Sequence, residues 1–203
     1  MGRFKKNKKK NFRFKYRNLM KIIAGVDEVG RGSLIGPVYA AAVILNKSIN
    51  LKLLKDSKCL TKKKREALSK YIKKNSIWAI GKASNKEIDK INILQASLLA
   101  MKRAIKKLKK KPSYILIDGN KLPDLKNFKM KAIVKGDQRI PVISAASIVA
   151  KVSRDKFIIT IAKKNSGYFW HQNYGYGTKQ HLNAIKKLGV SIHHRKSFAP
   201  IKK

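Results

Sequence analysis

Three short apolar segments govern what this chain can become. KIIAGVD (21–27), YILID (114–118) and KAIVK (131–135) each run into an acid beside a glycine, at Asp27-Glu28, Asp118 and Gly136-Asp137. Runs of this length, rich in Ile, Leu and Val and closed by turn residues, read as buried strands. A further strand is predicted at VYAAAVIL (38–45). It is joined to the first through GRGSLIGP, a loop short enough to favour an antiparallel hairpin. In α/β sheets, sites sit where loops leave the strand ends, so the acids at these ends are the first functional candidates.

Helical patterns fill the intervals. Thr61 is placed to cap a polar helix over 62–74, and SIWAIGKAS (76–84) alternates as a strand. A helical turn is predicted at 85–89. Asn92 is set to cap a long helix reaching about Lys109 before Pro112, with Ile93, Leu94, Ser97, Leu98, Met101, Ile105 and Leu108 on one face. PVISAASIVAKVSRDKFIITIA (141–162) reads as a helix buried against the sheet and opened by proline. Residues 166–177 form an aromatic, glycine-rich loop, and 178–188 a last helix stopped by Gly189. With no internal repeat and no linker, the economical reading is one α/β domain over 21–203. It is preceded by a basic, flexible arm over 1–20, in which Phe4, Phe12, Phe14 and Tyr16 are interleaved with Lys and Arg.

The 203 residues carry 50 Lys+Arg against 10 Asp+Glu, a net charge of +40. Such a surplus favours a polyanionic partner, because each phosphate neutralised releases a counterion. Only nine of the bases are arginine, and Ile and Asn are plentiful, as an AT-rich coding sequence would give. Polyanion binding and compositional drift therefore both stand, and a ribosomal or histone-like binder fits the charge as well as an enzyme does. A hydrophobic fraction of 43% argues against a wholly disordered tail. No apolar run approaches the ~18 residues of a membrane span, and the basic start lacks the apolar stretch of a secretory signal. The single cysteine, Cys59, leaves no intramolecular disulfide and no Cys-based zinc site. The expectation is a cytoplasmic protein, monomeric, with no membrane and no obligate protein partner.

In so basic a chain the acids are the informative residues. Adjacent Asp27 and Glu28 after an apolar strand are costly if buried together, since desolvation and like charge penalise both. A divalent cation would remove that cost. For each acid singly, a loop carboxylate bonded to backbone N–H groups or to a lysine is the competing reading. For Asp27, Glu28, Asp118 and Asp137 as a set, an all-oxygen site for Mg²⁺ or Mn²⁺ is preferred over zinc. Glu66 and Glu87 sit beside lysines in polar helical stretches, where solvated ion pairs are the default, and Asp155 reads as a structural pair or cap.

The residues also match a known family. AGVDEVGRGSLIGPVYAAAVIL (24–45) resembles the opening motif of type 2 ribonucleases H, the ribonuclease HII family. The likeness continues in family order through DSKCLTKKKREAL (56–68), ILQASLLAMKRAI (93–105), ILIDGNKLP (115–123), IVKGDQRIPVISAASIVAKVSRD (133–155), GYGTKQH (175–181) and HHRKSF (193–198). The resemblance implies an α/β, ribonuclease H-like fold, with a mixed central β-sheet flanked by α-helices. It puts the four family carboxylates on Asp27, Glu28, Asp118 and Asp137, the set already chosen by strand-end placement. It further implies metal-dependent hydrolysis of the RNA strand of RNA/DNA hybrids, and incision 5′ of single ribonucleotides embedded in duplex DNA, leaving 3′-hydroxyl and 5′-phosphate ends. Two Mg²⁺ ions about 4 Å apart suit such in-line displacement.

Selecting RNA needs a sensor of the 2′-hydroxyl. By the resemblance it is the backbone of Gly30, Arg31 and Gly32 together with Tyr176, Arg31 also holding phosphate. A tight hairpin turn and a partly buried core aromatic are the alternatives for these positions. Lys58, His181, Arg195 and Lys196 are candidates for phosphate contact, with solvated charge or helix-end interaction as the alternative. Val29 and Ser33 stand where the family commonly has Ala and Pro, and Ser33 is expected to leave its turn less rigid. Two readings compete with the type 2 enzyme: a non-catalytic basic nucleic-acid binder, and the sister type 3 ribonuclease H.

Overall fold

The computed structural model describes residues 22–54 and 60–202. Lys58 and the basic arm lie outside the described residues. The five-stranded sheet comprises β1 (Ile23–Val29), β2 (Val38–Leu45), β3 (Ser76–Ala83), β4 (Tyr114–Asp118) and β5 (Met130–Ile133) in the order β3-β2-β1-β4-β5. β1 pairs antiparallel with β2, as the short loop requires, with Asp27 opposite Ala41. β4 runs parallel to β1, with Val26 opposite Ile117, and β5 parallel to β4. The sheet is thus mixed. The C-terminal ends of β1 and β4 emerge side by side, and that brings the acids of two distant segments together.

Helices cover both faces. They are α1 (Lys62–Asn75), α2 (Asn85–Lys106), α3 (Gly136–Arg139), α4 (Pro141–Ala162), α5 (Trp170–Asn173) and α6 (Lys179–Leu188). On one face Ala24, Val26, Ala40 and Ala42 meet Ala96, Ala100, Met101 and Ala104 of α2. On the other, Ala41 and Val43 meet Ala145, Ala146 and Val149 of α4, with Ile72 of α1 completing the layer. Alternating side chains of β1 and β2 feed the two cores. α4 lies so close to the sheet that a Cβ on Gly25 would stand 2.2 Å from the Val142 carbonyl oxygen. Glycine at that position is what lets the buried helix dock.

Three expectations need correction. β1 continues through Asp27 and Glu28 to Val29, so the acid pair lies inside the last turn of the pleat and not beyond it. β5 ends at Ile133 because Lys135 turns into the left-handed region at φ 54° and Gly136 starts α3. The predicted turn and long helix are observed as two helical pieces that meet at Asn92 (φ 65°, ψ 167°), whose side chain accepts from the N–H groups of Leu94 and Gln95 as the expected cap, and the run ends at Lys106. The buried face of that run is the Ala96-Ala100-Ala104 stripe with Ser97, Met101 and Ile105, more than the larger aliphatics. Small residues win because the backbone of α2 presses against β3. A Cβ on Gly81 would meet Ala100 O at 2.0 Å.

Candidate active site

Asp27 and Asp137 are the buried members of the carboxylate group, and Asp27 is the one on the central strand. It lies on the α4 side of β1, where Ser147 hydrogen-bonds its carboxyl and its Oδ1 also accepts the Glu28 N–H at 2.7 Å. Burial, and then the charges of Glu28 and Asp118, push its pKa well above the usual carboxylate value. Glu28 is raised too, chiefly by burial, with Arg31 opposing. The Arg31 guanidinium stands 3.2 Å from Glu28 Oε1, while Glu28 Oε2 is buried without a hydrogen-bond partner. Asp118, one residue past the last β1–β4 pair, is tied to the α3 segment. Its Oδ1 accepts from the N–H groups of Gly136 at 2.7 Å and Asp137 at 3.3 Å. Those two bonds bring Asp137, itself buried, to the same end of the sheet.

Among the described residues no three such side chains already close into a metal shell. Mutual charge nonetheless reaches from Asp118 to both Asp27 and Glu28. A buried carboxylate oxygen with no partner, next to carboxyls that resist ionisation, is the electrostatic setting a hard divalent cation relieves. The donor set is oxygen only, which fits Mg²⁺ or Mn²⁺.

The Gly-Arg-Gly turn leaves β1 directly above this group. Gly30 takes φ +90°, and a Cβ there would lie 2.1 Å from Arg154 Nε, so two constraints demand glycine. Gly32 is exposed, and a Cβ on it would meet nothing, which leaves its peptide open to a ligand. The glycine-rich loop before α6 docks against this turn. Ser33 forms a bridge with Tyr176, and the Leu34 N–H donates to Gly175 O at 2.8 Å. The Ser33 hydroxyl reaches Ile35 O at 3.2 Å and Tyr174 O at 3.4 Å. This hydroxyl thus links two loops at the place where the family commonly has proline. Tyr176 is half-buried, with Arg154 and Lys151 5.7 and 6.0 Å from its ring centroid.

Two of the predicted phosphate contacts fail. Arg195 is fully buried and spends its fork on main-chain carbonyls, at 2.9 Å to Gly36, 2.8 Å to Arg31 and 2.7 Å to Gly30. His181 is equally buried, between Trp170 and the Tyr176 carbonyl. Lys196 stays exposed. Asp155 is a structural pair as expected, with Lys151 at 2.8 Å.

Sequence reasoning missed Ser147 and Arg154, and singled out Arg195 for a different role. Arg154 donates to the carbonyls of Pro37, Tyr174 and Ile35, so with Arg195 it fixes the turn from beneath. A signal was present, because Lys is the default base of this chain. An arginine kept amid so many lysines marks a place needing a rigid planar fork.

A model of the ribonuclease HII family matches residues 24–201. The chain belongs to the ribonuclease HII family. It is 74% identical over 182 residues to the ribonuclease HII of Pelagibacter ubique (strain HTCC1062), covering 90% of this chain and 98% of that one. The crystal structure of ribonuclease H2 from Pyrococcus horikoshii OT3 superposes with a TM-score of 0.75 at 28% identity, over 90% of this chain and 96% of the other. Bst ribonuclease HIII in complex with Mn²⁺ shares the fold at 19% identity, TM-score 0.70, over 90% of this chain and 68% of that one. Family membership makes the chain a ribonuclease H, a nuclease, and removes the non-catalytic binder. The ribonuclease H-like architecture expected from the resemblance is the one observed. Among the described residues no helix is long and apolar enough to cross a membrane.

Proposed function

We propose that this chain hydrolyses the RNA strand of RNA/DNA hybrids and incises 5′ of single ribonucleotides in duplex DNA, with Asp27, Glu28, Asp118 and Asp137 holding two Mg²⁺ or Mn²⁺ ions. The observation that carries the reading is the Ser33–Tyr176 bridge, which sets the tyrosine loop beside the Gly-Arg-Gly turn, whose Arg31 pairs with Glu28. Bound metal ions supply an activated water and charge neutralisation at the departing 3′ oxygen. The chain's residues do the rest by placement. Asp27 is braced by Ser147, and Asp118 by two backbone N–H groups. Glu28 Oε2 is buried without a hydrogen-bond partner and is the oxygen left for a metal ion.

Selection of the ribose falls to the turn. The open peptide around Gly32 meets the 2′-hydroxyl, and the Tyr176 ring meets the neighbouring sugar. Arg31, and Lys58 outside the described residues, grip phosphate. Arg31 is half-exposed and pairs with Glu28 through one oxygen only, so its remaining donors are available to a backbone phosphate. Incision at embedded ribonucleotides would make the chain an initiator of their excision from DNA.

A labelled DNA duplex bearing one ribonucleotide, incubated with the protein and Mg²⁺ or Mn²⁺, tests this. The expected product is a cut 5′ of the ribonucleotide with 3′-hydroxyl and 5′-phosphate ends. Asp118→Asn should lower the rate at least about a hundredfold, the scale of losing one preorganised charge contact, while binding persists. Cleavage confined to long RNA runs would remove the junction reading. Full activity of the Asn variant would remove the metal assignment.

A further inference from the structure

Behind Tyr176 lies a buried cluster that the proposed chemistry does not use. Trp170 and His181 are both fully buried, and the indole Nε1–H donates to His181 Nε2 at 2.9 Å. An indole nitrogen can only donate, so Nε2 must carry a lone pair. The opposite nitrogen, Nδ1, lies 2.9 Å from the Tyr176 carbonyl oxygen, which can only accept. The two partners together fix one form of the ring, neutral with its proton on Nδ1. A protonated ring would set an N–H against the indole N–H.

That imidazole completes a clamp on one residue. The Tyr176 carbonyl also accepts from the Thr178 N–H at 2.8 Å, and the Tyr176 N–H donates to Asn173 O at 2.9 Å. Asn173 Oδ1 takes the Gly175 N–H at 2.8 Å. His181 itself sits in the first turn of α6, its N–H bonded to the Thr178 cap at 3.3 Å. The main chain at Tyr176 is thus held on both sides, and its ring is left facing Arg154 and Lys151 beside the glycine turn.

We propose that His181, held by Trp170 in its Nδ1–H form, is a positioning residue for Tyr176, setting its main chain and hence how its ring meets the sugar at the ribonucleotide junction. This rests on the reading of Tyr176 given above. A displacement of about an ångström at such a group costs up to about a hundredfold in rate.

Two measurements test it. In ¹⁵N–¹H correlation spectra of the full chain, His181 should show the neutral Nδ1–H pattern. Trp170→Phe, which leaves the imidazole in place, should give a mixture of the two forms. An Nε2–H pattern in the unmodified protein would overturn the proposal. In single-ribonucleotide incision, His181→Phe should lower kcat roughly ten- to a hundredfold with little change in KM. His181→Asn, whose amide N–H can replace Nδ1–H, should recover much of the loss. In a Tyr176→Ala background, His181→Phe should cost no more than about twofold further, since an effect transmitted through Tyr176 cannot be lost twice. Effects that multiply fully, or an Asn variant no better than Phe, would refute the role. If His181→Phe does not fold, Trp170→Phe takes its place in the same cycle. Failure of the unmodified protein to incise tells against the proposed function and leaves the spectra to decide the tautomer. Incision by that protein with multiplying effects tells against His181 alone.

Discussion

Asp27 shows how much of this site is a conflict held in place by its surroundings. Its carboxyl is buried on the α4 side of β1 and faces two other acids, and its pKa is raised well above 3.8, by burial first and then by Glu28 and Asp118. A carboxyl whose pKa is higher folded than unfolded favours the fold while it is protonated. That advantage fades as pH rises from about 3.8 towards the raised value, and above 3.8 the buried carboxyl, whose unfolded counterpart ionises freely, lowers the stability of the fold. Asp27→Asn should therefore raise the Tm at pH 7 in the presence of a chelator, by roughly 2–4 °C if the relief is about 1 kcal/mol in a chain of this size. Added Mg²⁺ should raise the Tm of the unmodified protein, because a ligand of the native state stabilises by mass action, and leave the Asn variant nearly unmoved. Thermal melts with chelator and with Mg²⁺ check both halves. A less stable Asn variant in chelator would mean that the Ser147 bond outweighs the buried charge.

At the scale of elements, the sequence was most legible where a cap or a period was unambiguous. The helix over 141–162 and the strand over 114–118 are observed with the predicted bounds, and Thr61 and Asn92 cap as expected, while Thr178, read as the first residue of the last helix, is its cap. What stayed hidden was long-range. Nothing in the local pattern says that Arg195 reaches back to the carbonyls of Gly30 and Arg31, or that the predicted stripe of large aliphatics on α2 gives way to alanines pressed on Gly81. Such features depend on which surfaces meet, and periodicity along one segment does not record that. The four carboxylates were chosen as strand-end acids; β4 running parallel to β1 brings Asp118 to the end that carries Asp27 and Glu28, and the backbone bonds to Asp118 bring Asp137.

Helix α2 carries one further device of this kind. Glu87 Oε2 accepts the Ser84 N–H at 2.8 Å in a capping box, and both its oxygens take Arg103 from beyond the Asn92 break, at 2.7 and 3.1 Å. The expected solvated ion pair is thus a staple between two helical pieces. The Arg103 bonds, followed by the Ser84 N–H, lower the Glu87 pKa from 4.5 to about 2. A depressed carboxylate pKa stabilises the fold above 4.5, and the benefit is lost as pH falls towards 2. Because the pair is over a third exposed, solvent screening keeps its worth to about 1 kcal/mol or less. Glu87→Gln should lower the Tm by up to roughly 2–4 °C at pH 7. The gap should close on acidification from pH 4.5 towards pH 2, and a gap independent of pH would assign the effect to packing.

Across the whole molecule, the lysine excess divides into parts with different work. Lys151 and Lys62 stand 4.9 and 5.9 Å from the Tyr174 ring, beside the tyrosine loop, where a nucleic-acid backbone would pass. Lys73 lies 4.4 Å over the Trp78 ring and shields edge strand β3, a structural role in which burial lowers its pKa. Others, such as exposed Lys109 and Lys110 in the link between α2 and β4, fall outside the family motifs and suit compositional drift. The arm over 1–20 is a separate case, with Arg3, Lys5, Lys6, Lys8, Lys9, Lys10, Arg13, Lys15 and Arg17 ahead of the family match that begins at residue 24. Phosphate contacts made by these bases would appear in the salt dependence of binding, where each contact contributes about 0.9 to the slope of log K against log salt for duplex DNA. Removal of residues 1–20 should reduce that slope by at least about 2, corresponding to two or three contacts. The rate of incision at saturating substrate should stay the same, because the carboxylates and the turn that carries Gly30 to Gly32 lie in the domain. Binding titrations of an uncleavable all-DNA duplex between about 50 and 200 mM salt measure the slope. An unchanged slope would place the whole electrostatic grip on the domain's own lysines, beginning with those around the tyrosine loop.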